Sequence, residues 1–376
     1  MPIVEVMHNS VMQAFLDNCY ARGLGPKRVQ KYECTLGKLQ REFQKPLAEA
    51  TREDIERMVS RIERSPYSDW TKRDYKIAIR IFFRWLRKSD KDYPPEVAWI
   101  KAGKSHKQRL PEDCLNEDDI KRLVDAAGNI RDKAFIATLY ETGCRIGEMM
   151  GLGLRHVEFD PYGAVLRVSG KTGSRRVRMV AFAPLLRTWI ENHPLKDDND
   201  APLWANKTVY FGRGCKPETL TYERLSAIIR FVAAKAGVKK KVNPHSFRHA
   251  RATHLAKVLP EQQLKAIFGW TQASSMAAIY VHLSGRDTDD AILAMHGMKQ
   301  TQKTSMLSPQ TCNRCKETNS ANSNLCQKCG YPLNDKGMGE MASFEQKLAK
   351  LEKLSDLLRE PEVWKALVAA MEKKEV

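Results

Sequence analysis

The sequence contains no apolar run approaching the roughly 18 residues that a membrane-spanning helix needs. Its opening stretch, MPIVEVMHNSVMQAFLDNCYARG, lacks a basic segment followed by an apolar block, so no secretory signal is expected. The nine cysteines are then expected as thiols or metal ligands rather than as a disulfide frame, in a cytoplasmic protein. Acidic residues are in short supply. Asp and Glu number 45 against 63 Lys and Arg, which leaves +18. The excess is +9 over residues 1–110, +7 over 111–300 and +2 over 301–376, so it is spread along the chain rather than parked in a tail. Such a surface suits a polyanion, most simply nucleic acid, although a generally basic protein would show the same balance. With 42 % apolar residues there is enough for real cores, and 376 residues suit two or three domains.

The first hundred residues carry only helical periodicity. Val11, Phe15 and Leu16 share a face, as do Val29, Tyr32, Leu36, Leu39 and Phe43. Thr51 caps a third helix through Ile55, Met58, Val59 and Ile62, and a fourth runs through Tyr75, Ile79, Phe82, Phe83 and Leu86. A helical domain is therefore expected over 1–102, followed by an exposed basic linker over 103–111. Residues 112–300 look mixed. Asn116 opens a capped helix and Ile130–Leu139 forms another. Gly163–Val168 and Arg176–Phe182 read as two antiparallel strands joined at Ser169-Gly-Lys-Thr-Gly-Ser174, and helices return from Thr221 to about Ala294.

Three short stretches carry chemistry-bearing residues. In Thr142-Gly-Cys-Arg-Ile-Gly-Glu148, an arginine follows a glycine at a loop-to-helix junction, and Glu148 can reach back to hold Arg145. In Asn243-Pro-His-Ser-Phe-Arg-His-Ala-Arg-Ala-Thr-His254, His245 and Arg248 project to one side of a helical turn. His245, His249 and His254 lack H-E-x-x-H spacing and have no acidic residue between them, which argues against a metal there. The third stretch runs from Phe268-Gly-Trp270 to Tyr280. Taken singly, each would pass for an ordinary surface ion pair, helix face or core tyrosine.

Together and in this order, Arg145 with Glu148, Lys171 in a hairpin turn, His245 with Arg248 and His249, Trp270 and Tyr280 resemble the tyrosine recombinase (phage integrase) family. The resemblance covers about residues 8–300, and the spacing from Gly269-Trp270 to Tyr280-Val-His looks like archaeal members. It implies a site-specific DNA recombinase that cuts and rejoins duplex DNA through a 3′-phosphotyrosine link, without metal or ATP in the chemical step. The fold implied is mainly α with a small antiparallel sheet: a helical core-binding domain and a mixed α/β catalytic domain, clamped around the duplex. Tyr280 would be the nucleophile, Arg145 and Arg248 the clamp on the phosphate, and Lys171 the acid for the leaving 5′-oxygen. His245 would accept or share the phenol proton, Trp270 would donate its indole N–H to the phosphate, and Glu148 and His249 would support them. The family works as homo-tetramers on DNA and passes a C-terminal helix between protomers. A chromosome-dimer resolvase of the same family, and a zinc-ribbon DNA-binding regulator without catalysis, are the alternatives.

Beyond a polar stretch from Gln300 to Pro309, Cys312-Asn-Arg-Cys315 and Cys326-Gln-Lys-Cys329 form two C-x2-C knuckles ten residues apart. Four thiolates at this spacing match a closed tetrahedral zinc site, so a structural zinc ribbon is expected over 308–335. Cys19, Cys34, Cys114, Cys144 and Cys215 are scattered and read as structural. An amphipathic helix follows over 340–372, with Phe344, Leu348, Leu351 and Leu358 on one stripe and a break near Pro361. The ribbon is expected to act as a rigid spacer that offers this helix, with Trp364, to a neighbouring protomer.

Overall fold

The structure is a computed structural model that describes residues 2–42, 45–89, 91–103, 113–170, 172–206, 219–282, 292–293, 295–298 and 307–365, with side chains for all but 2–10, 281 and 282. As expected, the chain is mainly helical with small antiparallel sheets. It divides into two compact units, Met1–Gln108 and Arg109–Val376. Of the expected linker over 103–111, only Gly103 is described; the segment 104–112 and the expected apolar position Phe43 lie outside the described residues.

The first unit holds α1 (Pro2–Ala21), α2 (Pro26–Arg41), α3 (Arg52–Arg64), α4 (Asp69–Leu86) and the short α5 (Pro95–Ala98). Thr51 caps α3 in a reciprocal box with Asp54, satisfying N–H groups that the first turn cannot pair internally. The predicted apolar faces meet in one core in which Phe15, Leu36, Ile55, Ile79, Phe82 and Phe83 are buried. Two pieces exceed the four expected helices: a 3-10 turn at Leu47–Glu49, and α5, which starts on Pro95 where a missing N–H does no harm.

In the second unit, α6 (Glu117–Ala126) opens on the Asn116–Asp119 box, and α7 (Ile130–Thr142) is buried along most of its length. After α8 (Ile146–Met150) come three strands, β1 (Val157–Asp160), β2 (Gly163–Gly170) and β3 (Gly173–Met179), antiparallel in that order. The sheet therefore has one strand more than the two expected. β1 is only four residues long, and its link to β2 is an Asp turn in which Asp160 Oδ1 accepts the Tyr162 N–H at 2.9 Å. Gly170 lies opposite Gly173 at the end of the β2–β3 ladder. The remaining elements are α9 (Ala183–Glu191), α10 (Tyr222–Lys235), α11 (Pro244–Leu255), α12 (Glu261–Phe268), α13 (Met276–His282), β4 (Gln310–Thr311), β5 (Thr318–Asn319) and α14 (Asp335–Arg359).

The second predicted strand was placed over Arg176–Phe182, but β3 stops at Met179. The buried carboxylate of Glu141 is the reason. It accepts the N–H groups of Val180, Ala181 and Phe182 at 2.5, 2.7 and 2.9 Å, taking the donors a longer strand would need and turning the chain into α9.

The cysteine unit is not a detached spacer. Ala321 N donates to Ala181 O at 2.9 Å, and Asn322 Nδ2 donates to Asp125 Oδ1 at 3.0 Å. Thr188 Oγ1 donates to Gln327 Oε1 at 3.2 Å, and Leu307 and Ala321 join the core of the catalytic unit. The unit is too small for a core of its own, and docking lets it share one. α14 begins five residues earlier than expected because Asn334 caps it, accepting from Gly337 N at 2.9 Å. It ends at Arg359 before Pro361, and residues 361–365 are again helical. Residues 366–376, which include the end of the helix expected over 340–372, lie outside the described residues.

Replacing Glu141 with Ala should lower the unfolding free energy by about 3 kcal/mol or more, because three buried N–H groups lose their acceptor together. Denaturant titration measures it; a loss within about 0.5 kcal/mol, the range of an ordinary surface change, would contradict the clamp.

Candidate active site

The site is assembled where the end of α7, the β2–β3 turn, α11, α12 and α13 converge. α7 closes on Gly143, which adopts a left-handed conformation (φ 59°). A Cβ there would stand 2.5 Å from the Phe268 ring, so the turn needs glycine for space as well as for backbone shape. This turn delivers Arg145 to the N-cap of α8, with its side chain 36 % exposed. Glu148, one turn on and buried, accepts from Arg145 Nη1 and from the Arg145 N–H, both at 2.9 Å.

Arg248 comes from the first turns of α11, whose N-cap Asn243 accepts from Ser246 N at 2.9 Å. Its guanidinium is buried and fixed by two backbone carbonyls, Gly143 O at 2.8 Å and Phe268 O at 2.6 Å. It also lies over the rings of Phe268 and Trp270, with the carbon 5.0 and 5.4 Å from the centroids. Burial, and then the charge of Arg145, bring its pKa down to about 10, so it stays cationic at neutral pH. Two guanidiniums on one site, one half-buried and one fully fixed, can bind the two free oxygens of a phosphodiester.

Tyr280, on α13, is buried, and its ring stacks on Trp270 at 5.6 Å and 5°. Trp270 in turn stacks on Phe268 at 4.9 Å. The Tyr280 hydroxyl hydrogen-bonds His249 Nδ1, whose ring lies 6.2 Å from that of His245. The histidine at the phenol is thus His249, which had been expected to stand behind the others, whereas His245 lies nearer solvent at the start of α11. Arg145, His245, Arg248, His249, Trp270 and Tyr280 line one open cleft of about 400 Å³. Lys171 lies outside the described residues, but its neighbour Thr172 lines the same cleft and donates to Gly269 O at 3.0 Å.

One residue of this assembly was not picked out from the sequence. Arg175 on β3 donates from Nη2 to Glu148 Oε2 at 2.8 Å, from Nη1 to Glu148 Oε1 at 3.2 Å and from Nε to Ile267 O at 2.7 Å. It ties the hairpin, the carboxylate under Arg145 and the end of α12 into one body. Burial opposes ionisation of Glu148, yet hydrogen bonds from Arg175 and from the Arg145 backbone outweigh it and hold the pKa at about 2. Gly170 faces the same carboxylate so closely that a Cβ would lie 2.5 Å from Oε1. The signal for Arg175 was the alternation Arg175–Val177–Met179, which puts a charge in line with two buried residues of the strand.

The phage integrase family is matched over residues 113–286, the segment that carries every one of these side chains. This segment is a phage integrase domain, and the chain is similar to tyrosine recombinases. Among relatives, tyrosine recombinase XerD of Bifidobacterium longum (strain NCC 2705) is 25 % identical over 293 residues, covering 73 % of this chain and 92 % of its own. Tyrosine recombinase XerA of Pyrococcus horikoshii (strain ATCC 700860 / DSM 12428 / JCM 9974 / NBRC 100139 / OT-3) is 25 % identical over 252 residues, covering 67 % and 81 %. A lambda integrase tetramer bound to a Holliday junction shares the fold, with a TM-score of 0.56 at 15 % identity over 74 % of this chain and 80 % of that one.

Arg175→Ala should reduce the single-turnover cleavage rate by about tenfold to a hundredfold with little change in DNA affinity, and Arg175→Lys should not restore it, because an ammonium cannot reproduce the planar three-way fork. Rapid-quench cleavage beside a binding titration measures both; parallel losses in rate and affinity would contradict a positioning role.

Proposed function

We propose that the chain is a site-specific DNA recombinase in which Tyr280 is the nucleophile. The observation that carries this reading is the convergence of a phenol hydroxyl, a histidine and two arginines on one cleft, one arginine buried and locked. The Tyr280 oxygen attacks phosphorus, forming the phosphotyrosine bond and breaking the bond to the 5′-oxygen. His249 takes up the phenol proton as attack proceeds, Arg145 and Arg248 neutralise the charge that builds on the two free oxygens, and Lys171 protonates the departing 5′-oxygen. Trp270 holds the Tyr280 ring and can donate its indole N–H to the phosphate. The covalent link conserves the energy of the broken bond, so a new 5′-hydroxyl reverses the step without ATP.

The partner is duplex DNA, held by both basic units of one chain and cut by four copies working in pairs. No helix among the described residues is long and apolar enough to cross a membrane, which suits work on DNA in the cytoplasm. A regulator without catalysis would have no use for the Glu148 scaffold. Between integration and chromosome-dimer resolution, the docked cysteine unit and α14 favour integration, because resolution needs only the two DNA-binding units.

The four cysteines suit zinc. Their Sγ atoms all lie within 4.8 Å of one another, Lys316 N and Gly330 N close matching knuckle turns onto Cys312 O and Cys326 O, and Asn319 Nδ2 points at Cys326 Sγ at 3.6 Å. All four donors are thiols, which suits a closed structural site that supplies folding energy rather than an open catalytic one.

Tyr280→Phe should keep DNA affinity within a few-fold and lose the covalent adduct on a nicked substrate that traps it. Denaturing gels measure this; a surviving adduct would contradict the assignment. Cys315→Ser should lower bound zinc from one ion per chain and reduce the melting temperature, while cleavage at a single site continues. Elemental analysis beside calorimetry decides this; an unchanged zinc content would contradict the ligand set.

A further inference from the structure

The end of α12 accounts for every one of its carbonyls. A helix leaves its last four C=O groups without partners inside the helix. Here Trp270 N returns to Lys265 O at 2.9 Å and Gly269 N to Ala266 O at 3.3 Å, a closure that Gly269 permits by turning left-handed (φ 58°). The next two carbonyls are met from elsewhere in the chain. Arg175 Nε donates to Ile267 O at 2.7 Å, and Arg248 Nη2 donates to Phe268 O at 2.6 Å. The carbonyl after them, Gly269 O, accepts from Thr172 Oγ1 at 3.0 Å.

Three consecutive carbonyls therefore hold three groups of different kinds. Two are guanidiniums with little exposure, Arg248 of the phosphate clamp and Arg175 of the strut beneath it. The third is a neutral hydroxyl on an exposed residue of the β2–β3 turn. A neutral, water-facing hydrogen bond adds little to folding, so its use here is to fix a position. Arg175 already ties strand β3 to α12, whereas Thr172 ties the turn itself. Lys171 is thereby joined in the chain to two anchored neighbours. Gly170 rests against Glu148, where a Cβ would lie 2.5 Å from Oε1, and Thr172 is held by the carbonyl just before Trp270, whose ring stacks on Tyr280. Thr172 also lines the cleft, but a hydroxyl has a single proton, and this one is committed to Gly269 O rather than to a phosphate oxygen.

We propose that Thr172 is a positioning residue for cleavage: its hydroxyl, bound to Gly269 O, sets the hairpin turn so that Lys171 meets the departing 5′-oxygen. The inference rests on the reading of Lys171 as the acid. It places the acid and the nucleophile on one reference point, since the end of α12 holds the turn through Gly269 O and the Tyr280 ring through Trp270.

Single-turnover cleavage of two DNA substrates tests it, one normal and one with sulfur in place of the leaving 5′-oxygen. When the Tyr280 oxygen bonds to phosphorus and the P–S bond breaks, sulfur departs with the electron pair as a thiolate and needs no proton. Thr172→Val should slow the normal substrate by about threefold to tenfold at unchanged DNA affinity, and should match the wild type within about twofold on the sulfur substrate. Thr172→Ser, which keeps the hydroxyl, should cleave both substrates at close to the wild-type rate. Lys171→Ala is the reference for a missing acid, slow on oxygen and restored on sulfur. If Lys171→Ala stays slow on sulfur, the reading of Lys171 fails and the inference falls with it. If Lys171→Ala recovers while Thr172→Val is equally slow on both substrates, or is never slow on oxygen, the inference alone is overturned. A Thr172→Ser variant as slow as Thr172→Val would overturn the role of the hydroxyl.

Discussion

The arrangement of the cleft depends on one buried carboxylate. Glu148 collects four N–H groups, two from Arg145 and two from Arg175, and through Arg175, which also donates to Ile267 O, it joins the hairpin to the end of α12. In the proposed reaction Arg145 and Arg248 grip one phosphate and so must stand close, and burial, then the charge of Arg145, already lowers the Arg248 pKa. A third cation, Arg175, lies beneath them. A buried charge of the opposite sign makes that concentration of positive charge tolerable, and leaving any of these partners unpaired would be expensive.

The same constraint reaches into the backbone. Gly170 leaves room for the carboxylate, Gly143 leaves room for Phe268, and the carbonyls of Gly143 and Phe268 hold Arg248. Each glycine answers a close approach rather than a general wish for flexibility. Arg248 is satisfied by backbone carbonyls rather than by a carboxylate, which suits the phosphate contact of the proposed reaction. Arg145 gives only part of its fork to Glu148 and keeps the remainder toward the cleft.

The helices of the first unit were readable because their apolar residues recur at three and four, and the third also because Thr51 caps it with a side chain that pairs a free N–H group of the first turn. The residues of the cleft were readable through resemblance more than through local physics, since Arg145, His245 and Tyr280 have ordinary surroundings in sequence. Three things were out of reach. Arg175 works through partners 27 and 92 residues away, which no periodicity records. The end of β3 is set by Glu141, about 40 residues earlier. The docking of the cysteine unit rests on backbone atoms such as Ala321 N and Ala181 O, which carry no side-chain signature.

The central claim is that Glu148 and Arg175 form one strut beneath the phosphate clamp. A double-mutant cycle on the single-turnover cleavage rate, with Glu148→Gln, Arg175→Ala and both together, tests it most directly. If the strut is one unit, either change breaks it and the double variant is hardly slower than the slower single variant. If the two losses multiply, each residue acts separately and the account is wrong.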